Sequence, residues 1–439
     1  MKYVHVSAAV PEDIPALYMK ERRVLPGQQA QKYNRLFGTG FKQAGFDVVM
    51  LSQVPLGFKD APFRIVAPDD RKGDRKIAAP DDREGAGTDG LSYSFVRFAN
   101  IPLIKNVCAY LYSRRFVKRL IKEHGPANVR VTCDLLSLSA AMGAIDAAAS
   151  GGALSLGVIT DLPEHLSGRT SSGFYGKLFL RCVRKTSGII AVTEAVGRRF
   201  DRPFVVIEGI SAPEGEGIPA QPAKLASGPE GAAELVRDFS AEHGVDFSRE
   251  KVFFYAGGIE EAYGVKLMVD AYIKANIPDS RLLLFGGGAF GAELSRIAAA
   301  YPRIIFAGMK SNRLVTALEK EAFLLINPRT SAGEFTEFSF PSKNMEYMCS
   351  GTPMAGFMLP GIPAEYWEHM FVPAEETADA MGALLAKVAE MPADELARKG
   401  AAAAEFVRRE KGPAAQASRV VSFFDGLAEG GISDENQFR

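Results

Sequence analysis

The stretch from Asn327 to Pro353, NPRTSAGEFTEFSFPSKNMEYMCSGTP, decides how this chain folds. The apolar run Phe323 to Ile326 ahead of it reads as a short buried strand. A polar loop follows, Pro341 and Ser342 stand where a helix begins, and Gly351 with Pro353 ends that helix. Free amides and the positive dipole end at such a helix start suit a diphosphate, and Glu346, one or two turns in, accepts hydrogen bonds from a ribose diol. One element would then grip an anion and a sugar together.

Outward from this stretch, strand-like runs alternate with helical periodicity along the whole chain, the pattern of parallel sheets covered on both faces. In the first half the strands are expected near Tyr3 to Val6, Asp47 to Leu51, Val129 to Cys133, Leu154 to Ile159, Gly188 to Val192 and Phe204 to Ile207. A second series is expected at Val252 to Ala256, Arg281 to Phe285, Arg303 to Phe306, Phe323 to Ile326 and Met354 to Met358, followed by helices at Thr377 to Met391, Ala393 to Lys411 and Ala414 to Phe424. The fold class is therefore α/β, with two Rossmann-like domains facing across a cleft and ligands outside the carboxyl ends of the strands. The expected boundaries are 1–207 for a first Rossmann-like domain, 208–231 for a Gly/Pro-rich linker, 232–412 for a second Rossmann-like domain, and 413–439 for a terminal helix and tail. Within the first domain, 66–90 repeats Ala-Pro-Asp-Asp-Arg at Ala67 and Ala79 and reads as a mobile surface loop.

At 439 residues, with 47% apolar and 24% charged content, the chain has the makeup of a globular enzyme of more than one domain. Lys plus Arg and Asp plus Glu both number 52, which removes the overall basic field of a nucleic-acid binder. The start of the chain lacks the apolar core of a signal peptide, and no window reaches the roughly 18 to 20 apolar residues of a membrane span, so a cytoplasmic location is expected. Cys108, Cys133, Cys182 and Cys349 are widely spaced, against a disulfide framework or a zinc site.

The Asn327 to Pro353 stretch resembles the donor-site signature of glycosyltransferase family 4, retaining enzymes of the GT-B fold. In that family a Glu, seven residues and a second Glu precede a small-Gly-x-Pro turn. The second Glu corresponds to Glu346, followed by Ser350, Gly351, Thr352 and Pro353. The place of the first holds Phe338, and Glu337 is the nearest acid. The run Phe338-Ser339-Phe340-Pro341-Ser342-Lys343 is similar to one in a subgroup of bacterial polysaccharide-assembly enzymes. The resemblance implies a nucleotide-diphosphate-sugar as co-substrate, no further cofactor, and a glycan or lipid-linked acceptor. It implies as well a terminal helix that crosses back onto the first domain.

Glycines at Gly257 and Gly258, between a strand and a helix, let backbone approach a phosphate closely. The resemblance gives that loop the donor diphosphate, although Gly258 and Tyr263 stand where an Arg and a Lys are usual. Lys343 is the first candidate for the missing positive charge, with Arg329, Lys310 and Lys266 behind it. Gly286 to Gly291 spells GxGxxG, but no ribose-binding acid follows the next strand, so a cleft-lining turn is the better reading. Gly308 and Met309 would lie against the base, by resemblance. No Asp-x-Asp occurs, which favours metal-free binding with Ser342, Lys343 and the helix dipole holding the diphosphate. Glu337 is the candidate for contacting the donor sugar.

In the first domain Gln28, Gln31 and Lys32 open a helix and are candidates for acceptor binding, a solvated first turn being the rival reading. Asp161, after the strand ending at Ile159, is the candidate for acceptor binding or hydroxyl activation, with helix capping as its rival. His5 and His165 are isolated and read as structural. Two basic, apolar helical stretches, Tyr110 to Lys122 and Phe174 to Lys185, suit either an anionic membrane surface or an ordinary sheet-covering face. The function these readings converge on is sugar transfer. The alternatives are a nucleotide-sugar 2-epimerase and a non-catalytic scaffold of the same fold.

Overall fold

Runs rich in Val, Ile, Leu and Phe, apolar on both faces, can satisfy their backbone only in parallel sheets flanked by helices. The computed structural model describes residues 1–11, 28–54, 65–68, 76–79, 90–165, 173–211 and 229–430. Most of the expected linker, most of the expected surface loop, and the side chains of Gln28 and His165 lie outside them. Two units form: Met1–Ile210 with Lys411–Arg439, and Ser211–Glu410.

In the first unit the strands are β1 (Lys2–Ser7), β2 (Asp47–Ser52), β3 (Ile65–Pro68), β4 (Lys76–Ala79), β5 (Ser92–Phe95), β6 (Phe98–Ala99), β7 (Val129–Asp134), β8 (Leu154–Ile159), β9 (Gly188–Ala191) and β10 (Phe204–Val206). Its helices are α1 (Gln28–Gln43), α2 (Ile104–His124), α3 (Leu138–Gly151), α4 (Phe174–Lys185) and α5 (Glu194–Arg198). Seven strands pair in the order β10-β9-β8-β7-β1-β2-β5, all parallel, with Val4 between Val49 and Val131. The chain begins in the middle, adds strands to one side and then crosses to the other, so the order reverses between β1 and β7. The expected surface loop is partly corrected: Ile65–Pro68 and Lys76–Ala79 pair in parallel and join Phe98–Ala99 in a small second sheet.

The second unit holds α6 (Pro229–His243), β11 (Lys251–Ala256), α7 (Val265–Ala275), β12 (Ser280–Phe285), α8 (Gly291–Ala300), β13 (Ile304–Phe306), α9 (Asn312–Glu321), β14 (Leu324–Asn327), α10 (Ser342–Ser350), β15 (Met354–Gly356), α11 (Ala378–Ala389) and α12 (Ala393–Glu410). Five parallel strands run β13-β12-β11-β14-β15, so the reversal falls between β11 and β14. Phe253, Phe254 and Phe285 are fully buried beneath it, each contributing about 1.5–3 kcal/mol of apolar burial.

The last helix, α13 (Pro413–Ala428), belongs to the first unit and packs Val420, Phe423 and Phe424 inward. Its approach to α1 is close enough that a Cβ on Gly40 would stand 2.1 Å from the Pro413 carbonyl oxygen. A buried ion pair, Lys411 Nζ to Glu208 at 2.5 Å, ties the start of this segment to the end of β10's loop. Removing one partner of such a pair costs about 3–5 kcal/mol, because the other charge is left buried.

Candidate functional site

In the second unit the carboxyl ends of β11 and β14 flank the reversal, which is where open sheets of this type leave a crevice. Three loops are laced there by backbone, and the Glu260 carboxylate adds a bond by accepting from Ala289 N–H at 2.9 Å. Gly257 N–H donates to Phe285 O at 3.0 Å, Ile259 N–H to Gly287 O at 3.0 Å, and Gly286 N–H to Gly308 O at 2.9 Å. At Gly286 φ is +132°, and a Cβ would fall 1.8 Å from the Gly257 carbonyl oxygen. At Gly264 φ is +77° and a Cβ would fall 1.9 Å from Pro328 O, so the loop after β11 lies directly against the loop after β14. Bare backbone of this kind is what a phosphate can approach.

Helix α10 is fastened to both strands. The Asn327 amide donates to Asn344 Oδ1 at 2.5 Å, and the Tyr347 hydroxyl accepts from Ala256 N–H at 3.0 Å. Both contacts are buried, so the first turn of α10 is held in register with the Gly257 loop. Pro341 precedes that turn and no side chain caps it, which leaves its leading amides for solvent or an anion. Ser342 and Lys343 are its first two residues, and Gly351, with φ +81°, ends the helix. Lys343 Nζ lies 2.7 Å from Glu346 Oε2 and 5.6 Å from the centre of the Tyr347 ring. The two side chains are only partly exposed, and an ion pair so placed contributes about 1 kcal/mol at most.

Arg329 changes the ranking of cations expected from sequence. Its guanidinium carbon lies 4.4 Å from the centre of the Phe335 ring and 5.8 Å from that of Tyr263, and Nη2 donates to Ser339 Oγ at 3.1 Å. Its Nε is buried without a partner, and among the described residues no carboxylate pairs with it. Burial holds its pKa below the ordinary arginine value, with Tyr263 and Tyr255 acting in the opposite direction. A half-buried cation with no counter-ion is unfavourable unless an anion completes it. Lys343, by contrast, already has Glu346, and Lys266 has Asp270 at 2.7 Å. Lys310 is exposed. Tyr263, standing where resemblance suggested a lysine, supplies a ring to Arg329 instead.

The loop carrying these groups is braced at both ends. Ser331 N–H and Oγ donate to the Glu376 carboxylate at 2.9–3.0 Å, and Thr336 Oγ1 donates to Gly333 O at 2.9 Å. Glu337 follows that braced turn and is exposed. Met309 is exposed beside Gly308, whose φ is +67°. Gly257, Gly258, Arg329, Ser342, Lys343 and Glu346 are thus carried by the elements that meet at this reversal. Phe335, Asn344 and Tyr347 were not singled out from sequence. Their roles are as ring, brace and anchor, and only contacts distant in sequence define them.

In the first unit the corresponding reversal, between β1 and β7, is filled from within. Asn34 Nδ2 donates to Asp134 Oδ2 at 3.2 Å and to Ala30 O at 2.8 Å, so Asn34 Oδ1 accepts from His5 Nε2 at 2.6 Å. His5 Nδ1 then accepts from Thr132 at 2.8 Å, and Thr132 from Tyr3 at 2.6 Å. Burial lowers the His5 pKa to about 4, which keeps the ring neutral, and burial pushes Asp134 up to about 6. Gln31 is corrected as an acceptor-binding candidate: it is buried, with Oε1 accepting from Val10 N–H at 2.9 Å and Nε2 donating to Ala8 O at 2.7 Å. Both ends of its amide brace backbone. Lys32 is partly exposed on α1, and Gln28 opens that helix. Asp161 is exposed at the end of β8 and accepts from the Thr160 hydroxyl at 3.2 Å. It lies near enough to Asp134 to raise that residue's pKa.

Residues 250–387, less than half of the chain and all within the second unit, match the family described as glycosyl transferases group 1. No curated protein matches the sequence. Among solved structures the chain is similar to Alr3699/HepE of Anabaena, solved in complex with UDP, at 11% identity over 97% of this chain and 100% of that one, with a TM-score of 0.58. It is similar to sucrose-phosphate synthase of Thermosynechococcus elongatus at 15% identity over 98% and 100%, with a TM-score of 0.58. A glycosyltransferase of Rickettsia africae gives 13% identity over 98% and 99%, with a TM-score of 0.59. At such identities the likeness is one of fold, and that fold is GT-B.

Proposed function

We propose that this protein is a glycosyltransferase of the family 4 type, which moves a sugar with retention from a nucleotide-diphosphate-sugar to a hydroxyl of a glycan or lipid-linked acceptor. The observation that carries the reading is Arg329, a cation without a counter-ion among the described residues, beside the Gly257 loop and the uncapped start of α10. Arg329, Ser342, Lys343 and the Gly257-Gly258 backbone would hold the diphosphate, Glu346 the ribose diol, and Met309 the face of the base. The group 1 match over the same residues and the UDP bound in the Anabaena structure support this assignment.

In the reaction the bond from the anomeric carbon to the diphosphate breaks and a bond to the acceptor oxygen forms. The acceptor proton leaves with the nucleoside diphosphate. Positive charge already fixed by the protein stabilises that leaving group without a metal on the diphosphate. Glu337 would contact the donor sugar. On the first unit, Asp161 would meet the acceptor hydroxyl, and Lys32 and Gln28 of α1 remain candidates for binding the acceptor. The reaction would take place in the cytoplasm.

A thermal-shift panel tests the donor class, since a ligand of the native state at a hundred times its Kd adds about 2.7 kcal/mol. One of the UDP-, GDP- or ADP-linked sugars is expected to raise Tm saturably, and the CMP-linked sugar, with a single phosphate, to leave it unchanged. No shift with any diphosphate donor would contradict the reading.

A further inference from the structure

Among the described residues no helix is long and apolar enough to cross a membrane. Yet ten large apolar side chains are exposed there, and five of them fall on the leading ends of two helices of the first unit. These are Leu103 at 78% exposure, Ile104 at 48%, Val107 at 56% and Leu111 at 40%, on and just before α2, and Phe174 at 79% on the first residue of α4. Single exposed apolar residues are ordinary, whereas a cluster marks a surface that is covered in use.

The two ends lie on the same side of the unit. Helix α2 packs alongside α3 in parallel, with Tyr110 O against Gly143 and the Ile121 side chain against Gly151. Helix α4 runs with α3 too, since the Tyr175 hydroxyl donates to Leu135 O and Arg181 reaches Asp146. All three helices therefore start at the carboxyl end of the sheet, and Asp146 on α3 ties them through Tyr110, Arg181 and Lys185. Leu103 stands there at φ +66° and ψ −48°, the centre of a strained γ-turn closed by Ile104 N–H donating to Pro102 O at 2.8 Å.

Charge identifies the occupant. Along α2 one outward stripe reads Ile104, Val107, Leu111, then Arg115, Lys118 and Lys122, apolar for two turns and basic for the rest. Helices α2 and α4 together carry ten Lys and Arg residues and one acid, Glu123, in a chain whose charges balance overall. We propose that this face docks on an anionic lipid surface, with Leu103, Ile104, Val107 and Phe174 entering the headgroup layer and the basic stripe meeting lipid phosphates. An apolar wedge beside a polybasic stripe supplies the two signals that stable but reversible membrane binding needs. This goes beyond sugar transfer, although it would bring a lipid-linked acceptor to the enzyme.

The test is co-flotation of the full chain with vesicles of phosphatidylcholine alone or mixed with phosphatidylglycerol, without nucleotide, so that it can fail independently of donor binding. Wild type is expected to float with the anionic vesicles only, and to be released by salt. The variant L103N/I104S/V107S is expected to need about tenfold more lipid, as is R115E/K118E. Unchanged circular dichroism and Tm confirm that both variants fold. Absence of flotation at low salt, or flotation that neither variant weakens, would overturn the proposal. So would a wild-type dimer that the apolar variant turns into a monomer, because the face would then be covered by a second copy.

Discussion

The two parallel sheets reverse strand order in the same way but finish their carboxyl ends differently. Between β1 and β7, Tyr3, Thr132, His5, Asn34 and Asp134 pass hydrogen bonds in one direction until each is satisfied. Between β11 and β14, glycine backbone, an uncapped helix start and Arg329 leave positive groups without an anion among the described residues. Topology supplies a crevice to both, and only side chains decide whether it is sealed or left for a ligand. A saturated end adds rigidity. An unsaturated one retains binding energy for an anion.

The contrast can be broken from either side. The largest effect is expected from Gly264→Ala, where positive φ and the Pro328 oxygen at 1.9 Å act together. It should lower the stability of the second unit by about 3 kcal/mol or more in urea denaturation, whereas Gly244→Ala, also at positive φ but facing open space, should cost about 1 kcal/mol. Glu346→Ala should weaken nucleotide binding by about 2–3 kcal/mol, read by calorimetry, since the ribose hydroxyls lose their acceptor. Arg329→Met should weaken the same binding by about 2 kcal/mol and leave unfolding stability nearly unchanged, because among the described residues no carboxylate pairs with the cation and relief of its desolvation offsets the lost Ser339 bond. Asn34→Ala is the mirror experiment: about 1–3 kcal/mol less stability, with nucleotide affinity untouched.

A pH series sharpens the comparison further. His5 titrates near 4 in the native protein and near about 6.5 unfolded, so it contributes stability above about pH 6.5 that is lost as pH falls toward 4. Asp134 titrates near 6 in the native protein and near about 3.9 unfolded, so it contributes stability below about pH 4 that is lost as pH rises through 6. The two slopes oppose each other, each at most about 1.4 kcal/mol per pH unit. Wild type should therefore respond weakly to these two groups, and Asp134→Asn should unmask a stability that rises from about pH 4 to about 6.5. A wild-type profile that Asp134→Asn leaves unaltered would count against the buried pair.

Strand and helix positions were legible because apolar runs and glycine or proline stops are local signals. Ser92–Phe95 and the small sheet at Ile65–Pro68 escaped because short edge segments carry few residues of pattern, and the acidic repeat beside the latter suggested loop. Glu346 and the Gly257 loop were legible as motif. Arg329 was legible only as one cation among several, since its isolation depends on Phe335, Tyr263 and Ser339 closing around it without an acid. Gln31 misled for the converse reason: a polar residue at a helix start looks available until Ala8 and Val10 fold back onto both ends of its amide.

On the proposed function, Glu346 would read a ribose diol while Arg329 answers a diphosphate at one sheet end. Calorimetric titration of wild type and Glu346→Ala with the preferred nucleoside diphosphate and its 2′,3′-dideoxy analogue isolates that contact. Wild type is expected to lose about 2 kcal/mol on going to the dideoxy ligand, and Glu346→Ala to bind both ligands equally. An undiminished preference for the ribose diol in Glu346→Ala would contradict the account.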